Sequence, residues 1–166
     1  REYLMQRMTE DTDFAIRYLP TKHDLYRITK WTALALKSRF CLFEGTFRKY
    51  HGIDLPENDW KYYLDLSAKA SEEFITNSGY GLYTSGGTQT AYRDLFVSED
   101  AQQIEVVLAR DYNKGLSVFH NSTFYSLNTS YGRPGLTRKI VASYLMADGT
   151  RFTDKAGWET MGFRDG

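Results

Sequence analysis

The residues able to do covalent chemistry are few, and their spacing does not suit it. His23, His51 and His120 lie far apart and lack the HExxH spacing that sets two metal ligands on one helical face. Each is expected to be an ordinary surface or capping residue. The single cysteine, Cys41, rules out an internal disulfide and any cysteine-based zinc site. In the middle of a helix it reads as a small buried apolar residue. Ser85-Gly86-Gly87-Thr88 has the glycines of a phosphate loop without the lysine that would reach a phosphate. No G-x-S-x-G elbow presents a serine nucleophile. Carboxylates remain: a glycosidase needs two at a set separation, one with a raised pKa. Glu44, Glu105 and Asp111 are available, but Glu44 and Asp111 are expected to pair with nearby arginines. No catalytic residue, metal ligand or cofactor is predicted.

Binding chemistry has a better candidate. Asp111 to Gly135 is long, polar and aromatic-rich, with no periodicity. Connections of that length within a domain are uncommon, and are functional or disordered when they occur. Tyr112, Phe119, Phe124, Tyr125 and Tyr131 stand there among His120, Asn121, Asn128 and Arg133. A sugar ring offers C–H patches on its faces and hydroxyls at its rim. It therefore calls for flat aromatic faces beside amide and guanidinium hydrogen-bonding groups. Tyr112, Phe124, Tyr125, Asn128, Tyr131 and Arg133 are the candidate glycan-binding residues. The competing expectation is that most of these rings pin the loop to the helices beneath it.

The elements that must carry this loop are helical. Arg1 to Leu19 reads as helix, with Leu4, Met8, Phe14, Ala15 and Tyr18 as candidate apolar positions; Pro20 ends it. A long helix is expected from about Leu25 to Tyr50, apolar over a wide arc that includes Ile28, Trp31, Leu34, Leu36, Phe40, Phe43 and Phe47. So wide a stripe implies contacts on two sides. Ala33, Ala35, Ser38 and Gly45 leave room for a neighbouring helix, and Gly52 fits the left-handed stop. Asn58 or Asp59 should cap the next helix. Its Trp60, Tyr63, Leu64, Ser67, Ala68, Ser71, Phe74 and Ile75 recur at helical spacing. The two helices should pack as an antiparallel hairpin, with small facing residues of the tetratricopeptide kind. Tyr80 to Thr90 reads as a glycine-rich loop, Ala91 to Phe96 as a short helix, Ile104 to Ala109 as a buried strand or extended segment, and Leu136 to Leu145 as helix before a turn at Asp148-Gly149. The chain thus divides into a helical scaffold (1–79), a loop-rich ligand-facing segment (80–135), and a helix with a C-terminal loop (136–166).

Composition sets the outer bounds. A chain of 166 residues fits one domain and can bury about 68–70% of its unfolded surface. Twenty-one basic residues balance twenty-one acidic ones. A nucleic-acid partner is not expected, because phosphate binding calls for a basic excess or stripe. Local pairs such as Arg48-Lys49 sit at a helix C-terminus, which favours cations. No run of 18 apolar residues could span a membrane. The start, REYLMQ, reads as mid-helix, and the chain is expected to be a piece of something longer.

Several segments, taken in order, resemble one family. Asp13-Phe14-Ala15 through Leu19-Pro20 is similar to a "D-hydrophobic-x-x-A…LP" lead-in. Ile28 to Gly52, ITKWTALALKSRFCLFEGTFRKYHG, resembles an alanine-rich helix ending in "ARxxLYEGTxRKYHG". Phe74 to Tyr83 resembles a "G-Y-x-L-Y" turn, and YRDLF with EVVLARDY a "Y-x-x-L-F…N-x-E-V-I-L" segment. LTRKIVASYLMADG resembles "T-x-x-hydrophobic-V-x-x-Y-x-x-x-D-G". The family is the SusD/RagB outer-membrane nutrient-binding proteins, and the resemblance is to their central part. It implies a mainly α fold, a tetratricopeptide-like helical hairpin scaffold with an irregular loop-rich segment, as part of a larger domain. It implies a non-enzymatic, surface-exposed subunit in the outer membrane. That subunit captures oligosaccharides and delivers them to a SusC-like TonB-dependent transporter. Family members are severalfold longer and are anchored through a lipidated N-terminal cysteine, which this chain does not show. Arg164-Asp165 is similar to the start of an "R-D-P-R" motif, with Gly166 at the proline position. In a bacterial protein, as the resemblance implies, the sequons at Asn121 and Asn128 mean little. The alternatives are a glycan-active hydrolase or a helical-repeat module that binds only protein.

Overall fold

The computed structural model describes residues 1–53, 55, 58–131 and 135–160. Asp54, Pro56, Glu57, the candidate Arg133, and the Arg164-Asp165 motif lie outside the described residues. The chain falls into two units, Arg1–Asp111 and Tyr112–Gly166.

The first unit is built on three long helices whose ends follow local chemistry. α1 spans Glu2–Tyr18 and stops where Leu19 turns extended before Pro20. α2 spans Lys30–His51, five residues shorter at its start than its apolar pattern predicts. Thr29 takes extended backbone and forms a capping box with Thr32, each side chain receiving the other's backbone N–H. That arrangement satisfies two otherwise orphaned donors and leaves Ile28 outside the helix and exposed. Before it, Asp24 accepts the backbone N–H of Tyr26 at 2.9 Å, a local turn that competes with helix. At the other end Gly52 adopts the left-handed conformation, φ 61°, as the stop signal predicts. α3 spans Trp60–Asn77 with Asp59 as its cap, accepting the N–H of Tyr62.

α1, α2 and α3 pack side by side with α2 in contact with both neighbours. Contacts between α2 and α3 run in opposite chain order. Lys30 pairs with Glu73 at 2.7 Å, Ser38 meets Ser71 at 2.6 Å, and Gly45 faces Trp60 and Leu64. The hairpin is therefore antiparallel. The helices approach closely at Gly45, where a Cβ would stand 2.8 Å from Leu64 and 2.9 Å from the Trp60 carbonyl oxygen. Only glycine fits there.

Two apolar clusters hold the three helices together. Met5, Cys41 and Tyr63 form one; Trp31, Leu34 and Ala70 form the other, with Ile16, Phe74, Tyr80 and Val107 against it. Cys41 is fully buried, and burial pushes its thiol up to about 11. The buried stripe of α1 matches the expected one only in part, with Met8 packed against the first cluster and Ala15 partly buried. Met5 and Thr12 point inward while Leu4, Phe14 and Tyr18 are exposed. Thr12 is tolerated inside because its hydroxyl donates to the Met8 carbonyl.

Beyond α3 the unit is less regular. His23 stacks on Tyr80 at 4.1 Å and hydrogen-bonds the Ser78 carbonyl through Nε2 at 2.6 Å. α4 spans Gly87–Val97, starting four residues before the expected helix. Ile104–Ala109 forms no strand. Glu105 and Val106 donate to the Gln102 carbonyl in a turn, and the segment is tied by isolated bonds from Gly81 to Ile104 and from Ala109 to Leu25.

In the second unit α5 spans Ser122–Leu127, inside the stretch expected to lack periodicity. α6 spans only Arg138–Ala142, capped by Thr137, where a helix over 136–145 is expected. Leu136, Ile140 and Tyr144 remain exposed. The turn at Asp148-Gly149 is present: Asp148 accepts from the Thr150 N–H and hydroxyl, and Leu145 bridges Arg151. Among the described residues the protein is mainly helical and has no strand.

Candidate ligand-binding site

An open groove of about 740 Å³ lies in the second unit, lined by Tyr112, Phe119, His120, Asn121, Ser122, Tyr125 and Ser126. α5 sets three of these. Ser122, Tyr125 and Ser126 share one side of the helix, three and four residues apart. The preceding loop supplies the rest. Asn113 fixes its course by accepting the Leu116 N–H on its side chain and the Val118 N–H on its carbonyl. Tyr112 then meets His120 edge-on, with centroids 4.9 Å apart. The rings are only half covered: Tyr112 is 43% exposed and Tyr125 50%. Apolar faces and polar tips are thus presented together.

The candidate residues separate into three groups. Tyr112 and Tyr125 line the groove. Phe124 and Tyr131 do not; they pack on each other at 5.1 Å and on Tyr125 at 5.6 and 6.0 Å, and are themselves half exposed. Asn128 ends α5, and its side-chain oxygen accepts the Ser130 N–H at 2.9 Å. It shapes the turn that returns Tyr131 to the cluster. Arg133 falls outside the described residues. Of the other lining residues, Phe119, His120 and Asn121 are named by sequence as part of the candidate loop though not of the glycan-binding set, while Ser122 and Ser126 are not singled out. The helical spacing of Ser122, Tyr125 and Ser126 was the available signal, and six residues are too few for periodicity to register.

The carboxylates considered for hydrolysis are placed differently. Glu44 is 1% exposed in the first unit, bonded by Arg1 at 3.0 and 2.5 Å and by Arg48 at 2.8 Å. Burial works to raise its pKa, and the two guanidiniums outweigh it and hold the carboxyl below its ordinary value. A general acid needs the reverse. Arg48, itself fully buried, also donates to Glu2 at 2.5 Å and to the Asn58 carbonyl at 2.5 Å, and lies over the Tyr63 ring. Glu44 and Arg48 are therefore a structural clamp joining α1, α2 and the α2–α3 connection. Glu105 accepts the Tyr83 N–H at 2.6 Å beside a hollow of about 430 Å³ walled by Leu82, Tyr83, Tyr92 and Leu95.

Among the described residues no group of three or more His, Cys, Asp or Glu could hold a metal ion. No helix among them is long and apolar enough to cross a membrane. Comparison with protein-family models, curated proteins and solved structures gives no match to this chain.

Proposed function

We propose that this protein is a non-catalytic glycan-binding subunit that takes up oligosaccharide in the groove of its second unit. One observation carries the reading. Two half-exposed tyrosines, Tyr112 and Tyr125, share an open groove with an imidazole, an amide and two serine hydroxyls. Rings of that kind match the C–H faces of a sugar, and the polar groups match its rim. The seven described lining residues include no carboxylate, whereas hydrolysis of a glycosidic bond by the common route uses two. The resemblance to SusD/RagB proteins supplies the wider setting: attachment at the outer-membrane surface and transfer of the sugar to a SusC-like TonB-dependent transporter. In the same reading the α2–α3 hairpin is one tetratricopeptide-like unit of a larger scaffold. Its close contact at Gly45 and its serine pair support that reading.

Affinity electrophoresis against a panel of plant, microbial and host polysaccharides tests the proposal, run beside a reducing-sugar assay on the same polymers. Retardation by at least one polymer without release of reducing ends is the expected result. Retardation by none would overturn it, and release of reducing ends would replace binding with hydrolysis.

A further inference from the structure

The first unit holds a hollow of its own, of about 430 Å³. Ala91, Tyr92 and Leu95 line it from one side of α4, spaced one, three and four residues apart. Leu82 and Tyr83, just before that helix, form a second wall. Glu105 completes it from the turn closed on the Gln102 carbonyl. The walls are mainly apolar, and no lysine, arginine or histidine lines them among the described residues. Glu105 is partly buried, and its Oε2 accepts the Tyr83 N–H at 2.6 Å, which sets the carboxylate at the wall. That bond does not call for a charge. A neutral amide oxygen accepts an N–H as well, and the Gly81 N–H already ties the same two segments by donating to the Ile104 carbonyl at 2.9 Å. Among the described residues Oε1 accepts no hydrogen bond and the carboxylate has no ion-pair partner. A charge beside apolar surface is costly unless it is paired.

We infer that this hollow binds an organic ammonium ion that carries an apolar ring or chain. The ammonium N–H groups donate to Glu105, and the apolar body lies against Leu82, Leu95 and Tyr92. Hydrogen bonds between ionised partners are about twice as strong as neutral ones, and a tyrosine face adds its own attraction for a cation. The apolar walls decide against a metal ion. They give it no further ligands, and no group of three His, Cys, Asp or Glu among the described residues could hold one. The site lies within the first unit and does not depend on the glycan reading of the second.

An NMR titration of the full chain with phenethylamine, 2-phenylethanol and 3-phenylpropionate tests it, since these share one body and differ in charge. Phenethylamine should shift the amide resonances of Tyr83, Ala91 and Leu95. It should bind roughly tenfold tighter than the alcohol, the scale of one hydrogen bond to a charged group, and the carboxylate should bind most weakly. Glu105→Gln keeps an acceptor for the Tyr83 N–H and removes the charge, and should bring the amine-to-alcohol ratio close to one. Tyr92 is 74% exposed, so Tyr92→Ala leaves the fold intact and should weaken phenethylamine binding severalfold. Circular dichroism matching the wild type verifies the fold of both variants. Equal affinity of the wild type for the amine and the alcohol would overturn the inference, as would binding of none of the three. Amine-induced shifts confined to residues away from the hollow would overturn the location. A ratio unmoved in Glu105→Gln would overturn the role of Glu105.

Discussion

Arg48 is the residue on which the first unit turns. It is 0% exposed, its guanidinium donates to Glu44, Glu2 and the Asn58 carbonyl, and its planar face covers Tyr63. Buried ion pairs add little net stability over an apolar pair, but breaking one strands its partner. Arg48→Ala should therefore cost about 3–5 kcal/mol in a urea unfolding experiment. A loss near zero would show that the clamp is dispensable. The same clamp sets an acid response. Glu44 is held below the ordinary glutamate value of 4.5 when folded. Its contribution is then complete above that value and declines as pH falls through the lower, folded one. Denaturation midpoints measured down this range should fall less steeply in Glu44→Gln than in the wild type. Part of this was legible in sequence: Glu44 invites an arginine, and Cys41 reads as buried. That Arg48 lies inside was not, because a cation in a last helical turn has a ready explanation in the helix dipole. Only the arrival of Glu2 from α1 separates the two cases.

Small residues set the geometry of the elements, and here the sequence was easier to read. Gly45 and Ser38 read as points of close approach on α2, and both meet α3 directly. Gly45→Ala would place a methyl against the Leu64 side chain and the Trp60 carbonyl. One of these is backbone and cannot swing aside, so the variant should lose about 1–3 kcal/mol by thermal or chemical unfolding. Unchanged stability would mean that the helices separate more easily than their contacts imply. The errors at this scale have local causes. α2 starts late because Thr29 and Thr32 close a capping box with threonine where glutamate is the usual signal. α1 turns Met5 and Thr12 inward in place of Leu4 and Phe14, since a helix with apolar residues on several sides does not declare which side is buried. α5 is too short for any periodic signal, yet it places Tyr125 in the groove.

Over the whole molecule, the first unit leaves much apolar surface in water. Leu4, Phe14, Tyr18, Leu36, Leu42 and Phe43 are all more than half exposed on α1 and α2. Patches of this kind mark interaction surfaces or sites of aggregation. The protein on its own should self-associate in a concentration-dependent way, seen as a rising mass by light scattering. A monodisperse monomer at all concentrations would contradict this. The function proposed for the second unit is that its half-exposed rings hold carbohydrate without cutting it. Calorimetry of the wild type and Tyr125→Ala, titrated with the tightest-binding oligosaccharide from the panel, tests it most directly. The account predicts roughly a tenfold loss of affinity with an unchanged circular dichroism spectrum. Equal affinity in the two proteins would contradict it.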